Sequence, residues 1–240
     1  MDIHKPKPWH GWREFLKEYG IIVLGVLTAL AAEQVVENLH WQERTRTTNE
    51  TLRENLKLAS GPVQAALILE PCDEDVLGCL ERSLVAPSDE WRPPFLIRSG
   101  ADSEVFSSPV FMLESEEWRN AQADGTANHF PSRTQALYAI VYDRLAAIQA
   151  SNTEMALEIA EINSLSIPRR IDAQSKTNYL RLIYRIKADL KSSMFRSLQF
   201  LQATKELGIK IADPKDDQIV RDYQQVCSRL KAGETNVVIN

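Results

Sequence analysis

Glycine is scarce in this chain, nine residues in 240, and several of the nine stand where a helix would stop. That scarcity favours an all-α protein. A basic excess is lacking too: 28 Lys and Arg stand against 33 Asp and Glu, the net charge is −5 and the pI near 5.5. No dominant positive field is available to displace counterions, which argues against nucleic acid as a partner, and no Lys/Arg run reads as an anionic-lipid patch. There are four histidines, His4, His10, His40 and His129, and they do not cluster. HExxH, P-loop, nucleophile-elbow and dinucleotide fingerprints are all missing. No base and nucleophile pair is identifiable, so the expectation is a non-enzymatic protein without a cofactor. Glu37-Asn38-Leu39-His40 has the E-x-x-H spacing of carboxylate-bridged di-iron bundles. A single-chain site of that kind needs a second such pair, and no other histidine has Glu three positions before it. A homodimer would double the pair; otherwise Glu37 and His40 are solvated residues at a membrane surface.

There are only three cysteines, Cys72, Cys79 and Cys227. C-x6-C is neither a zinc nor a redox motif. On one straight helix Cys72 and Cys79 would stand about 10 Å apart, so a bridge between them needs Cys72 outside the helix. A bridge from either to Cys227 fits an oxidising compartment, and buried free thiols are the plain alternative.

What the chain does have is one long apolar run, Tyr19 to Ala32, YGIIVLGVLTALAA. Fourteen residues give about 21 Å of helix against a hydrocarbon core of roughly 30 Å. The flanks extend it, since Phe15 and Leu16 precede it, Val35, Val36 and Leu39 follow it, and Lys17 and Glu33 can lean toward headgroups. Trp9, Trp12, Tyr19 and Trp41 are the expected interfacial anchors. Trp12 to Trp41 spans about 44 Å as helix, the thickness of a bilayer with its headgroups. Gly25, Ala29, Ala32 and Val36 recur at i, i+4, i+7 and i+11 and form a small-residue face for helix packing in lipid. Two rival readings exist. One is a cleaved signal peptide, with Lys5, Lys7, Arg13 and Lys17 as its basic leader and Ala29-Leu30-Ala31 as its site; the other is a buried core helix. Against cleavage, Glu14 and Glu18 interrupt the leader and the helical pattern continues past the site. Four Lys/Arg precede the run and Arg44 and Arg46 follow it, which puts the N-terminus in the cytoplasm and the bulk in a bacterial periplasm.

The expected organisation is a short tail over residues 1–11, an anchor over 12–41, a helical extramembrane domain over 42–233 and a tail over 234–240. The anchor helix runs on to about Ser60, where Gly61-Pro62 should kink or break it; Val63 to Leu69 resume the stripe until Pro71. Pro71 to Val85 reads as a short helix with an acidic first turn. Residues 86–114, rich in proline, form an irregular loop in which Phe95-Leu96-Ile97 and Val110 to Leu113 are strands or loop anchors. Ser115 and Ser132 read as N-caps of a short and a long helix, with Gly125 ending the first. The long helix, with Leu137, Val141, Leu145, Ile148, Met155, Ile159 and Ile162 inward, pairs with a second from about Asp172 to Leu207. That partner turns Leu180, Ile183, Ile186, Leu190, Met194, Leu198 and Leu201 inward, and the two make a long antiparallel hairpin. Asp213-Pro214 opens the last helix, with Ile219, Tyr223, Val226, Cys227 and Leu230 inward and Gly233 closing it. ETNVVIN after it has no evident partner.

The apolar IVLGVLTAL followed by Gln34, Asn38, Trp41 and Glu43-Arg44 resembles the N-terminus of uncharacterised bacterial single-pass membrane proteins grouped as a domain of unknown function. Ser115-x-x-Trp118, a glycine and LYAIVYDRL give a looser echo. The resemblance covers about the first 60 residues and implies topology, with no activity or residue role to carry over. The sequence therefore leads to an accessory or scaffolding subunit of a membrane complex. Its partners would be the lipid bilayer, a membrane protein or a second copy of the chain. The alternative is a tethered periplasmic ligand-binding module with its site between the bundle and loop 86–114, a reading that a pocket of convergent polar groups around Trp91, Arg98 and Trp118 would strengthen. An enzyme and a secreted helical protein follow behind these.

Overall fold

The computed structural model describes residues 11–99, 102–108, 115–211, 213–214 and 218–239. The expected tail before residue 11, with Trp9, and the Val110 to Leu113 cluster lie outside them. The architecture is a long N-terminal apolar helix followed by a helical bundle, as the residue pattern led one to expect.

Helix α1, Gly11–Val85, is 75 residues long, about 112 Å. It carries an 18-residue stretch of mean hydropathy 1.8, none of it buried, long and apolar enough to cross a membrane. Beyond Trp41 the same helix becomes the spine of the bundle. The hairpin packs on it, with α3 (Ser132–Ile162) and α4 (Ala173–Glu206) as its arms. At the foot of the bundle Tyr138 at the start of α3 bonds Asn49, while Arg53 bonds the carbonyls of Leu207 and Gly208 after α4. Higher up, Glu81 of α1 takes bonds from Tyr184 and Lys187 of α4. So α3 runs parallel to α1 and α4 antiparallel. The last helix, α5 (Gln218–Lys231), lies along α1 and is tied to it by the Cys72–Cys227 disulfide, Cα to Cα 5.8 Å. Cys79 is free. Cys72 bridges from within α1, because a helix packed alongside brings Cys227 to it.

Neither proline breaks α1 where a break was expected. Each removes one helical N–H bond, to the carbonyl of Leu58 or Leu67. Burial on both sides of each proline holds the axis: Leu52, Leu56, Ala59 and Val63 pack around the first, Leu69, Val76, Leu77 and Leu80 around the second. Leu58 faces solvent, so on that side a freed carbonyl can be hydrated. Pro71 to Val85 is accordingly the end of α1 and no separate helix. Past Val85, Lys176 of α4 donates to the carbonyls of Ala86 and Ser88.

Two large apolar cores stack along the bundle, with a small third cluster of Ala65, Leu69 and Val220 where α5 meets α1. The lower joins Leu52, Leu56, Trp118, Phe130, Tyr138, Tyr142, Leu145 and Phe200. The upper joins Leu77, Leu80, Leu84, Trp91, Phe95, Phe106, Ile162, Ile183, Ile186 and Val237. A polar belt lies between them, with Asp73, Asn152, Ser193 and Ser197 around a cavity of about 40 Å³. The inward stripes of the two hairpin arms hold with one exception: Leu198 is 52% exposed while Ser197 and Phe200 face in. The aromatic bulk of Tyr138, Tyr142 and Phe200 sets the face of the lower hairpin, and Leu198 turns out.

The described residues of the 86–114 segment include three short strands. β1 (Glu90–Trp91) pairs antiparallel with β4 (Arg169–Arg170). β2 (Leu96–Ser99) pairs with β3 (Asp102–Glu104) on one side and in parallel with β5 (Asn236–Ile239) on the other. The tail thus has a partner, from Leu96↔Asn236 to Ser99↔Ile239. Asn163 clamps the segment by accepting from the amides of Val105 and Phe106 and donating to the Phe106 carbonyl.

Helix starts differ slightly from expectation. Asp172 caps α4 by accepting from the Ser175 amide. Ser115 sits at the N-cap of α2 (Glu116–Ala123) without a side-chain bond, and Ser132 is the first helical residue of α3, behind Pro131. The described part of α5 begins at Gln218, after Asp213 and Pro214; residues 215–217 lie outside the description. Gly125 and Gly233, at φ 82° and 87°, are the helix stops foreseen for them.

Candidate functional site

A cleft of about 740 Å³ lies at the foot of the bundle, just past the apolar stretch of α1. Its α1 wall presents Trp41, Arg46 and Arg53, and its opposite wall His129 and Phe130 just before α3 and Arg133 in its first turn. Glu206 at the end of α4 lines it too.

The walls are brought together by an aromatic clamp. The Trp41 ring stacks on His129 with centroids 4.0 Å apart and planes at 17°. Arg44 lies over the same ring at 5.4 Å and bonds Asp124 at 2.9 Å. Bonds from Thr126, and after them Arg44, hold the Asp124 carboxyl below the usual carboxylate range. The 3₁₀ turn Thr126–His129, entered through Gly125, thereby fixes the turn of α1 just past its apolar stretch to the α3 entry. Trp41, expected as an interfacial anchor, carries this joint.

Three arginines with different duties face the cleft. Arg46 is paired with Glu43 and Glu50 on its own helix at 2.7 and 2.8 Å. Arg53 caps the carbonyl end of α4, which leaves its charge without a carboxylate partner. Arg133 has no ion pair or hydrogen bond among the described residues. It belongs to the first turn of α3, which carries no acidic residue and no side-chain cap. The positive end of a 31-residue helix therefore stands uncompensated at the cleft wall.

Other candidate residues are placed as follows. Gly25, Ala29, Ala32 and Val36 share one exposed face, with nothing within 4 Å of a Cβ built on Gly25. Trp12 and Tyr19 are exposed and belong to an aromatic row through Phe15, with ring centroids 5.9 and 6.1 Å apart. Glu37 and His40 are exposed on α1, and no group of three metal-ligating side chains occurs among the described residues. Trp91 and Trp118 are buried in different cores and Arg98 is exposed, so no pocket gathers these three among the described residues. His129 and Arg133 carried no sequence signal, since only the hairpin fold brings them to Trp41.

A second polar centre is buried in the mid-bundle belt. Asp73 is 3% exposed and accepts from Ser108 Oγ at 2.8 Å. Burial pushes its carboxyl up to about 7 against the pull of Ser108, and Glu70 adds to the rise. Tyr223 of α5, bonded to Ser107, faces the same region.

These features define a helical bundle carried on an apolar helix, with a partly cationic cleft where the two meet. Comparison with protein-family models, with curated proteins and with solved structures finds no match to this chain.

Proposed function

We propose that the chain is a non-enzymatic, single-pass protein of a bacterial inner membrane, acting as an accessory or scaffolding subunit of a membrane complex. Its N-terminus is placed in the cytoplasm and its bundle in the periplasm. The observation that carries the reading is the wholly exposed apolar stretch, continuous in one helix with a closed bundle. An exposed apolar surface of that length needs lipid or protein around it. The Cys72–Cys227 bridge supports an oxidising compartment for the bundle. The face of Gly25, Ala29, Ala32 and Val36 supports association within the membrane, where small residues let helix backbones approach.

The test is purification from the native membrane in mild detergent, with mass spectrometry of the intact chain and of co-eluting proteins. A full-length mass with stoichiometric partners is expected, and replacing both Gly25 and Ala29 by Leu should release those partners. A mass starting near Ala32 without partners would sink the reading. A second reading, a membrane-tethered ligand-binding module, is favoured by the cleft at the foot of the bundle.

A further inference from the structure

The cleft deepens the membrane reading, on which the following rests. We infer that it is a binding site for the headgroup of an anionic phospholipid, a phosphodiester with hydroxyl donors such as phosphatidylglycerol.

Position is the first ground. The exposed apolar stretch of α1 ends with Val35, Val36 and Leu39, and the cleft begins within a turn of them, at Asn38 and Trp41. Its opposite wall stands at the same height: His129 meets Trp41 and Tyr138 meets Asn49, which confines the α3 entry to about 12 Å of axial rise. When the apolar stretch occupies the hydrocarbon, the lower end of the cleft at Trp41 meets the outer edge of the headgroup layer, and the cleft opens outward from there.

Charge is the second. Arg46 is neutralised by Glu43 and Glu50, so it contributes little. Arg53 and Arg133 retain their charge, and the uncapped start of α3 adds the positive end of its dipole. Glu206 opposes them. A bare phosphate gains nothing from that carboxylate, whereas a glycerol headgroup can donate hydroxyl protons to it while its phosphodiester faces Arg133. A choline headgroup places a fixed positive charge, without N–H donors, among the arginines. Shape agrees as well, since Phe130, Pro131, Leu137 and Leu207 give the cleft apolar wall for the glycerol backbone and upper acyl chain. No basic run in the sequence announces this site, because its cations come from α1 and α3, some 80 residues apart.

The full-length protein in uncharged detergent is titrated with dihexanoylphosphatidylglycerol, dihexanoylphosphatidylcholine and inorganic phosphate, read by thermal midpoint and calorimetry. Saturable binding of the glycerol lipid is expected, at least tenfold tighter than the choline lipid or phosphate. Arg133→Gln should weaken it about tenfold, the loss of one charge-assisted pair, and leave the unliganded midpoint unchanged because Arg133 has no partner to lose. Thr134→Glu is a second variant that does not threaten the fold: a carboxylate in the first turn of α3 raises the unliganded midpoint slightly and weakens the lipid. Equal binding of both lipids, or indifference to both substitutions, overturns the assignment. Phosphate binding as tight as the glycerol lipid overturns the lipid source. These titrations do not require the chain to span a bilayer. Carbonate-resistant membrane pelleting tests that separately, so failure of one reading is distinguishable from failure of the other.

Discussion

Replacing Asp73 by Asn should make the bundle's stability less dependent on pH, and the size of the effect follows from where the carboxyl sits. Its ordinary value is 3.8 and the folded protein raises it to about 7, through burial first, with Ser108 opposing and Glu70 adding. None of these is a cation, and the Tyr223 phenol that faces it is itself pushed up by burial and by Asp73. Between those two pH values the unfolded chain has lost the proton while the native chain still holds it. Stability therefore falls as pH rises, and levels off above about 7. At about 1.4 kcal/mol per pH unit the whole span amounts to roughly 4 kcal/mol, an upper limit because local relaxation lets water in. Guanidinium unfolding of the full chain in mild detergent, followed by tryptophan emission at pH 5 and pH 8, reads it through Trp91 and Trp118, one in each core. Other carboxyls, such as Glu81 and Asp124, lie below their ordinary values and favour higher pH. The informative quantity is thus the difference between wild type and Asp73→Asn. Wild type should lose up to about 3 kcal/mol more than the variant from pH 5 to pH 8, the part of the span that lies above pH 5; parallel losses would refute the claim that a charged Asp73 is costly in this belt.

Cys72→Ser should lower stability by several kcal/mol, since closing a loop of sequence separation 155 removes about 5 kcal/mol of unfolded-chain entropy on the loop model. Thiol titration of the denatured, unreduced protein should then find one free thiol in wild type, that of Cys79, and two in the variant. Trp41→Ala should remove the stack on His129, a loss of about 1 kcal/mol, and speed amide exchange through Thr126–His129 while leaving Leu80 and Leu84 protected. Unchanged exchange there would mean the clamp does not hold the α3 entry.

Much of the helical architecture was legible because helices report their own period. Val141, Leu145, Ile148, Ile183, Ile186 and Leu190 are buried as their spacing requires, and Asp172 caps as its residue type suggests. Pro62 and Pro71 misled because proline's local cost is visible in sequence whereas the burial that outweighs it, spread from Leu52 to Leu80, is tertiary. Asn236–Ile239 looked partnerless for a similar reason: a four-residue strand acquires its meaning from Leu96–Ser99, about 140 residues earlier. The cleft was the least legible feature. Trp41 was singled out for its place beside the apolar run, but its joint with His129 and the unpaired Arg133 depend on how the hairpin docks. Neither leaves a periodic trace.

The unbroken α1 also has a mechanical consequence. From Leu39 to Val85 it rises about 69 Å without a hinge, stiffened by the hairpin along one side and α5 along another. Wherever its apolar end is gripped, the sheet and disulfide at the upper end are held at a fixed standoff, and a 10° lean at the base sweeps the top sideways by about 12 Å. A protein built this way behaves as a pole fixed at one end: it sets a height, and it converts small movements of whatever holds its root into displacements large enough to make or break a contact at its tip.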